Sequence, residues 1–321
     1  LFSNKSYHGK LIGSGSISGS YENNKFPKME NCLSFNFNDL NDLEEKISLA
    51  NKKGGVYAVI IEPFSASLLE GVSEEFINKL FSLKKEFKFK VIFDEVFTGF
   101  YKCEKMFYFQ NFKDISPDIL CLSKTLGGGK SSISCLVIDD KTYNQSYGEI
   151  SDTFLHTTTY NGFGEESITA LAALNVLVKP EFKIRVSELS EKINSKLSFL
   201  QSKYPEKIEK VKGTGILNGI VFKSYIKSIG DLTEKIPIRF VKNRSYFLKK
   251  ITATAISCEL FKRFDILTSI NDSANSNHLS ISPSLILKDN ELNYFFDSLE
   301  KVINENLDLE SIKLIFQFIK K

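Results

Sequence analysis

The sequence predicts an α/β fold, with a mostly parallel, doubly wound sheet in a large first domain and a smaller C-terminal α+β domain. Strand-like apolar runs alternate with an amphipathic helical pattern through the first half of the chain, at the spacing of strand–helix–strand units. These runs lack polar alternation, which indicates strands covered on both faces, as in parallel sheets. The 321 residues, 42% of them hydrophobic, are enough for two domains.

The first half contains four predicted strands and an amphipathic helix. The helix follows a serine suited to an N-cap, Ser73, and its apolar residues recur at helical spacing. The predicted strands are GVYAVIIEP (55–63), FKVIFDE (89–95), DILCLS (118–123) and SISCLVID (132–139), and the helix is SEEFINKLFSLKKEF (73–87).

The second half of the sequence has a different character from the first. Lys179–Pro180 interrupts the helical pattern, because proline lacks the backbone donor that a helix interior needs. We place a domain boundary there, with domains at residues 1–180 and 181–321. The predicted helices cover residues 165–178, 183–204, 251–264 and 289–307, and residues 222–250 are predicted to be polar and irregular.

The composition argues against several classes of protein. The net charge is +3 and the lysines are dispersed, so nothing predicts a nucleic-acid surface. No apolar run has the length of a membrane span, and we expect neither nucleic acid nor membrane as a partner. The five cysteines lie far apart and form no C-x-x-C pair, which predicts reduced thiols in a cytoplasmic protein and no metal site.

Polar residues at the strand ends mark the expected binding site. Ligands of open parallel sheets bind beyond the carboxyl ends of the strands. Glu62, Asp94–Glu95 and Ser123–Lys124 lie at the carboxyl ends of three predicted strands. Charged residues are common where a chain leaves the core, but an acid and a lysine at the ends of strands of one sheet would face a common crevice.

The segment CLSKTLGGGKSS (121–132) offers two lysines for two different chemistries. Gly129–Lys130–Ser131 matches the end of a phosphate-binding P-loop. That motif needs an earlier glycine where Lys124 stands, and it needs a helix where the sequence predicts a strand. The sequence therefore disfavours nucleotide binding through Lys130.

Lys124 favours covalent chemistry with a carbonyl group. Burial and neighbouring charges can lower the pKa of a lysine enough for Schiff-base formation. The usual partner of such a lysine is pyridoxal 5′-phosphate (PLP), whose ring nitrogen needs an acid to stay protonated. Asp94, at the end of another predicted strand, is placed for that role.

Seven segments, spread over nearly the whole chain, resemble one family. In order and approximate spacing they are similar to the class III (ornithine/acetylornithine-type) aminotransferases, which are fold-type I PLP enzymes. The segments are SYHG (6–9), IIEP (60–63), IFDEVFTGFYKCEKMFYFQ (92–110), PDILCLSKTLGGG (117–129), HTTTYNG (156–162), GTGILNGI (213–220) and ISPSLIL (281–287).

The resemblance implies a role for each matching residue. Lys124 would form the Schiff base and move protons on the α-carbon of the substrate, and Asp94 would pair with the pyridine nitrogen. Tyr7 and Val96 would cover the two faces of the ring, although either could also be an ordinary core residue. Thr159 would donate to the cofactor phosphate across the interface of a homodimer. The implied cofactor-binding set is Tyr7, His8, Glu62, Asp94, Val96, Lys124 and Thr159.

The chain also departs from the family pattern. Phe97 stands where the family usually has a glutamine, and Ser280 stands where it commonly has an arginine that binds the substrate carboxylate. The substrate, a small-molecule amino donor with its acceptor, therefore stays unassigned. An aminomutase, a decarboxylase or a non-catalytic protein of the same fold remain alternatives. Because the chain begins just before Tyr7, we also expect a piece that lacks the N-terminal phosphate-binding region.

Overall fold

A computed structural model describes residues 1–19, 27–159, 161–162, 164–223, 244–271 and 277–305. Contacts within the chain divide it into two compact units, Leu1–Ile184 and Arg185–Lys321, close to the boundary placed at residue 180. Among the described residues, no helix is both long enough and apolar enough to cross a bilayer.

The first unit is built on a six-stranded sheet with the spatial order β2-β1-β3-β6-β7-β8 among the described residues. All neighbouring strands are parallel except β7 and β8, which confirms the predicted mostly parallel sheet. Its strands, with the hairpin β4–β5, are β1 (Phe2–Ser3), β2 (Ser34–Phe35), β3 (Ala58–Ile61), β4 (Phe64–Ser65), β5 (Glu70–Gly71), β6 (Lys90–Asp94), β7 (Ile119–Leu122) and β8 (Cys135–Ile138).

Helices connect these strands. Ser73 caps the predicted helix as expected, because its Oγ accepts a hydrogen bond of 3.1 Å from the backbone N–H of Phe76. The helices are α1 (Ile12–Ser16), α2 (Leu40–Asn51), α3 (Glu74–Phe87), α4 (Asp140–Tyr147), α5 (Gly164–Leu177) and α6 (Pro180–Lys203), which continues into the second unit.

The core of the first unit lies under β6. Phe93 is fully buried and its ring lies 6.1 Å from that of Phe81 on α3 and 5.9 Å from that of Phe109. Val91 on the same strand and Val59 on β3 are also fully buried. These apolar contacts fix the position of β6 in the core, and therefore also the position of the residues that follow the strand.

One predicted strand differs from its expected environment. SISCLVID (132–139) was expected to be covered on both faces, yet β8 is an antiparallel edge strand and Cys135, Leu136 and Val137 are exposed. An edge strand pairs on one side only, and apolar content alone does not reveal whether a strand is central or at an edge.

The second unit contains a four-stranded antiparallel sheet with the order β11-β12-β10-β9 among the described residues. The predicted closing helix is present, whereas the predicted helix 251–264 begins earlier, at Arg244. Most of the predicted irregular stretch lies outside the described residues. The elements are β9 (Ile208–Thr214), β10 (Leu217–Phe222), α7 (Arg244–Phe264), β11 (Ser269–Asn271), β12 (His278–Ile281) and α8 (Asp289–Asn304).

Candidate active site

Three adjacent parallel strands bring the predicted acids and lysine to one edge of the sheet. β3 pairs with β6, and β6 pairs with β7, with Asp94 opposite Cys121. Glu62 follows β3, Asp94 ends β6, and Lys124 lies two residues beyond β7. These three residues therefore lie at the same edge of the sheet, as predicted from their positions at strand ends.

His8 holds the carboxylate of Asp94. Its Nδ1 lies 2.7 Å from Oδ2 of Asp94, and the backbone N–H of Val96 donates to Oδ1 at 3.0 Å. The His8 side chain is 2% exposed and the Asp94 side chain 12%, so both groups are shielded from water. Nε2 of His8 is buried and has no hydrogen-bond partner among the described residues. The two anchors fix the carboxylate while leaving it accessible to a ligand.

Glu62 positions the backbone that carries Tyr7 and His8. Its Oε1 accepts a hydrogen bond of 2.7 Å from the N–H of Tyr7, and its Oε2 accepts one of 3.1 Å from the N–H of Ala66. Burial raises the pKa of Glu62 to about 7, although the His8 charge and both hydrogen bonds lower it. Tyr7 is 42% exposed beside this anchored backbone, so a flat ligand can reach its side chain.

The backbone at Lys124 is held in an unusual conformation. Lys124 has a φ of 47° and starts a short 3₁₀ helix, Lys124–Gly127, directly after Ser123. A non-glycine residue in the left-handed region costs about 1 kcal/mol or more, and this conformation persists only where neighbouring residues enforce it. Ser123 Oγ donates to the carbonyl of Ile133 at 2.7 Å, and Gly128, with a φ of 60°, closes the turn close to Ala173 of α5.

The amine of Lys124 lies over an aromatic ring. Nζ is 4.4 Å from the centre of the Phe97 ring, the residue that replaces the family's glutamine. The side chain is accessible to solvent, yet desolvation by the surrounding protein lowers the pKa of Lys124, while the charges of Asp94 and Glu62 raise it. The charges of both carboxylates therefore act on this amine.

Glu95, the residue after Asp94, holds the neighbouring backbone by hydrogen bonds. It is fully buried and accepts hydrogen bonds from the backbone N–H groups of Tyr108 (2.6 Å) and Phe109 (2.9 Å) and from the hydroxyl of Thr98 (3.1 Å). Burial raises the pKa of Glu95 to about 7 against the effect of these donors. Sequence reasoning placed Glu95 at a strand end without finding this function.

Two further lysines and one threonine lie outside this hydrogen-bonded cluster. Lys130 is exposed and precedes a strand, so the structure offers no helix N-terminus to a phosphate there. Thr159 is exposed after the short helix Ile150–Phe154, and its role at a cofactor stays a prediction. Lys102, which the sequence analysis did not single out, has its Nζ 5.1 Å from the centre of the Phe97 ring.

Comparison with known proteins decides the family. A family model described as class III aminotransferase matches residues 1–303. The protein belongs to the class III aminotransferases. An acetylornithine aminotransferase from Clostridium acetobutylicum is 32% identical over 236 residues, which are 71% of this chain and 57% of that relative. The chain thus spans little more than half the length of this class III relative.

Solved structures of transaminases share the fold. The chain is similar to a transaminase from the marine bacterium Virgibacillus, with a TM-score of 0.78 and 18% identity over 98% of this chain and 68% of that one. It is also similar to an ornithine aminotransferase from Toxoplasma gondii that has partial occupancy of PLP at its active site. That likeness has a TM-score of 0.73 and 20% identity, and it covers 94% of this chain and 63% of the other.

Metal ligands do not gather in the described part of this class III chain. Its histidine, cysteine and carboxylate side chains form no group of three or more that could hold a metal ion.

Proposed function

We propose that the protein is a PLP-dependent aminotransferase that moves an amino group between an amine or amino acid and a keto or aldehyde acceptor. The observation that carries the proposal is the juxtaposition of the His8–Asp94 pair with Lys124 at the ends of two paired strands. Membership of the class III aminotransferases supports the same reaction.

The residues present fit this cofactor. A carboxylate fixed by two donors suits a protonated pyridine nitrogen, because each oxygen keeps a lone pair for a further donor. The exposed Tyr7 ring suits a stacking contact, and an accessible amine with a lowered pKa suits attachment to an aldehyde. When bound, PLP would supply an aldehyde and an electron-withdrawing ring.

Each residue of the site would then have its own role. Asp94 would keep the ring nitrogen protonated by accepting its hydrogen bond, and His8 would keep the Asp94 carboxylate oriented. Lys124 Nζ would hold the cofactor and would accept and return the proton of the substrate carbon that bears the amino group. Glu62 would fix the backbone of Tyr7 and His8 through its two hydrogen bonds.

Reductive trapping tests the proposal. The full protein is incubated with PLP, reduced with borohydride, digested and analysed by mass spectrometry. We expect the cofactor on Lys124 and no label in Lys124→Ala. Lys130→Ala serves as the matched control, because Lys130 is an exposed lysine of the same loop, and it should be labelled at Lys124 as the parent protein is.

Labelling at another lysine, or none, would contradict the proposal. A screen of amino donors follows, with the absorbance of the cofactor as the readout. Conversion of the cofactor by one or more donors supports transamination. Labelling of Lys124 without conversion by any donor would favour the non-catalytic alternative, and release of carbon dioxide or an isomerised product would favour a decarboxylase or an aminomutase.

We extend the proposal to assembly and location. α5 is apolar on most sides, and Ile168, Leu171 and Val176 are exposed on it, which supports a homodimer formed through this helix. Thr159, on the exposed segment before α5, would then be available to the cofactor of the second copy. None of the five cysteines is paired, which is compatible with a cytoplasmic location.

A further inference from the structure

A second lysine lies beside Lys124. The ammonium of Lys102 is 5.1 Å, and that of Lys124 is 4.4 Å, from the centre of the same Phe97 ring. A strained turn precedes Lys102, because Phe100 and Tyr101 both have a positive φ, 64° and 68°. A turn this costly fixes the backbone from which the Lys102 side chain extends.

In the described part of the chain, no carboxylate neutralises Lys102. Within the described ranges of the chain, no acidic side chain lies within ion-pair distance of its Nζ. The buried acid nearby in sequence, Glu95, already accepts three hydrogen bonds from Thr98, Tyr108 and Phe109. Burial and the charge of Lys124 both lower the pKa of Lys102, so the two cations repel each other. An anion close to the Phe97 ring would relieve this repulsion.

The first unit has no arginine that could bind such an anion. All four arginines of the sequence lie beyond residue 184, so the first unit offers no guanidinium group to an anion. The charges of Asp94 and Glu62, which raise the pKa of Lys124, repel an anion. The electrostatics of the site therefore direct a negative group of a ligand towards Lys102.

We propose that Lys102 binds the carboxylate of the substrate, so that the protein acts on amino acids and keto acids in preference to simple amines and aldehydes. This inference rests on the proposed aminotransferase function. A molecule whose reacting carbon meets Lys124 can place a carboxylate at Lys102, because both ammonium groups border one aromatic ring. The Phe97 ring offers an apolar surface to the carbon chain between those two ends.

Paired donors test the proposal. L-alanine and isopropylamine differ by a carboxylate in place of a methyl group, and so do 4-aminobutyrate and butylamine. We expect Lys102→Met to raise KM for a carboxylate donor about tenfold or more, the size of a lost charge-assisted hydrogen bond. KM for its partner without a carboxylate should not rise, and Lys102→Arg should retain the preference for carboxylates.

Controls separate this role from a structural one. Lys105→Met, which removes an exposed lysine three residues away, should change neither KM. Lys102→Gln repeats the comparison with a polar side chain. Equal losses for both donors of a pair, or an unchanged KM for carboxylate donors, would overturn the proposal.

A binding measurement decides the proposal if no donor is turned over. Glutarate, a dicarboxylate without an amino group, is titrated into the cofactor-free full protein and followed by calorimetry. Lys102→Met should weaken glutarate binding about tenfold, the effect of a lost charge-assisted hydrogen bond. Lys105→Met should leave the affinity unchanged. Equal affinity in the parent and Lys102→Met proteins would refute carboxylate binding at Lys102, whereas failure of every donor alone would refute the aminotransferase reaction.

Discussion

His8 keeps the Asp94 carboxylate in one orientation. With the imidazole removed, only the N–H of Val96 would hold that carboxylate, and it could rotate away from a ligand. We expect His8→Ala to weaken PLP binding about tenfold, the effect of a lost hydrogen bond to a charged group. An absorbance titration of the cofactor-free protein measures this. His156→Ala, at an exposed histidine, should bind PLP as the parent does, and equal affinity in His8→Ala would refute the role of His8.

Glu62 makes the stability of the protein depend on pH. Its pKa is about 7 in the folded chain against an ordinary 4.5, so between these values the folded state holds a proton that the unfolded state has lost. The free energy of unfolding therefore falls as pH rises through this window, by on the order of 3 kcal/mol for this group. The raised pKa of Glu95 also makes the free energy of unfolding fall as pH rises.

Urea unfolding at pH 5 and at pH 7.5 tests this effect. The parent protein should lose more stability between the two pH values than Glu62→Gln does, because glutamine cannot ionise. Since Glu95 still titrates in the variant, part of the loss should remain. The same change of unfolding free energy with pH in both proteins would show that Glu62 is ionised throughout.

At the residue scale, the sequence could locate Asp94 and Lys124 but not their supports. Both follow apolar strands, and the carboxyl ends of parallel strands meet. The contacts of His8 and Glu62 join residues 86 and 55 positions apart, and no local pattern encodes such pairs. Lys102 was missed for the same reason, since its significance depends on a ring that it shares with Lys124.

At the scale of elements, Glu95 ties the end of β6 to the short helix Tyr108–Asn111. Replacing it with alanine would leave two backbone N–H groups and a hydroxyl without their acceptor. We expect Glu95→Ala to lower the free energy of unfolding by about 2–4 kcal/mol. Urea unfolding measures the loss, and Glu86→Ala, at an exposed position of α3, should change it little. Equal losses in the two variants would contradict this role.

The elements also show where local sequence signals suffice. α3 and α8 were predicted because an apolar stripe at helical spacing is a strong local signal. α2 was missed although its signals were present, with Asp39 as N-cap and Leu43 and Ile47 on its buried face. The two-residue strands β1 and β2 are too short to show a period, so pairing alone defines them.

At the scale of the whole molecule, the order of strands came from contacts that hydropathy does not encode. The mostly parallel sheet was predicted from strand–helix alternation, yet the antiparallel edge position of β8 was not. The sheet of the second unit was not resolved into strands either. Strand β10 pairs with β12, whose residues lie about 60 positions further along the chain. Strands β11 and β12 both follow the stretch that lies outside the described residues.

Assembly gives the last prediction. Ile168, Leu171 and Val176 are 71%, 58% and 46% exposed on α5, and burying such side chains against a second copy would contribute about 1.5–3 kcal/mol for each one fully covered. A charge placed there would have to be desolvated in the dimer. We therefore expect the parent protein to sediment as a dimer and Leu171→Asp to shift it towards the monomer.

Analytical ultracentrifugation across a range of concentrations measures this shift. Phe199→Asp is the matched control, because Phe199 is an exposed apolar residue on α6 rather than on α5, and should leave the dimer intact. Thr159 lies on the segment before α5, so a dimer through α5 also predicts weaker PLP binding by the Leu171→Asp monomer. A parent protein that is monomeric at all concentrations, or a Leu171→Asp variant that remains dimeric, would refute assembly through α5.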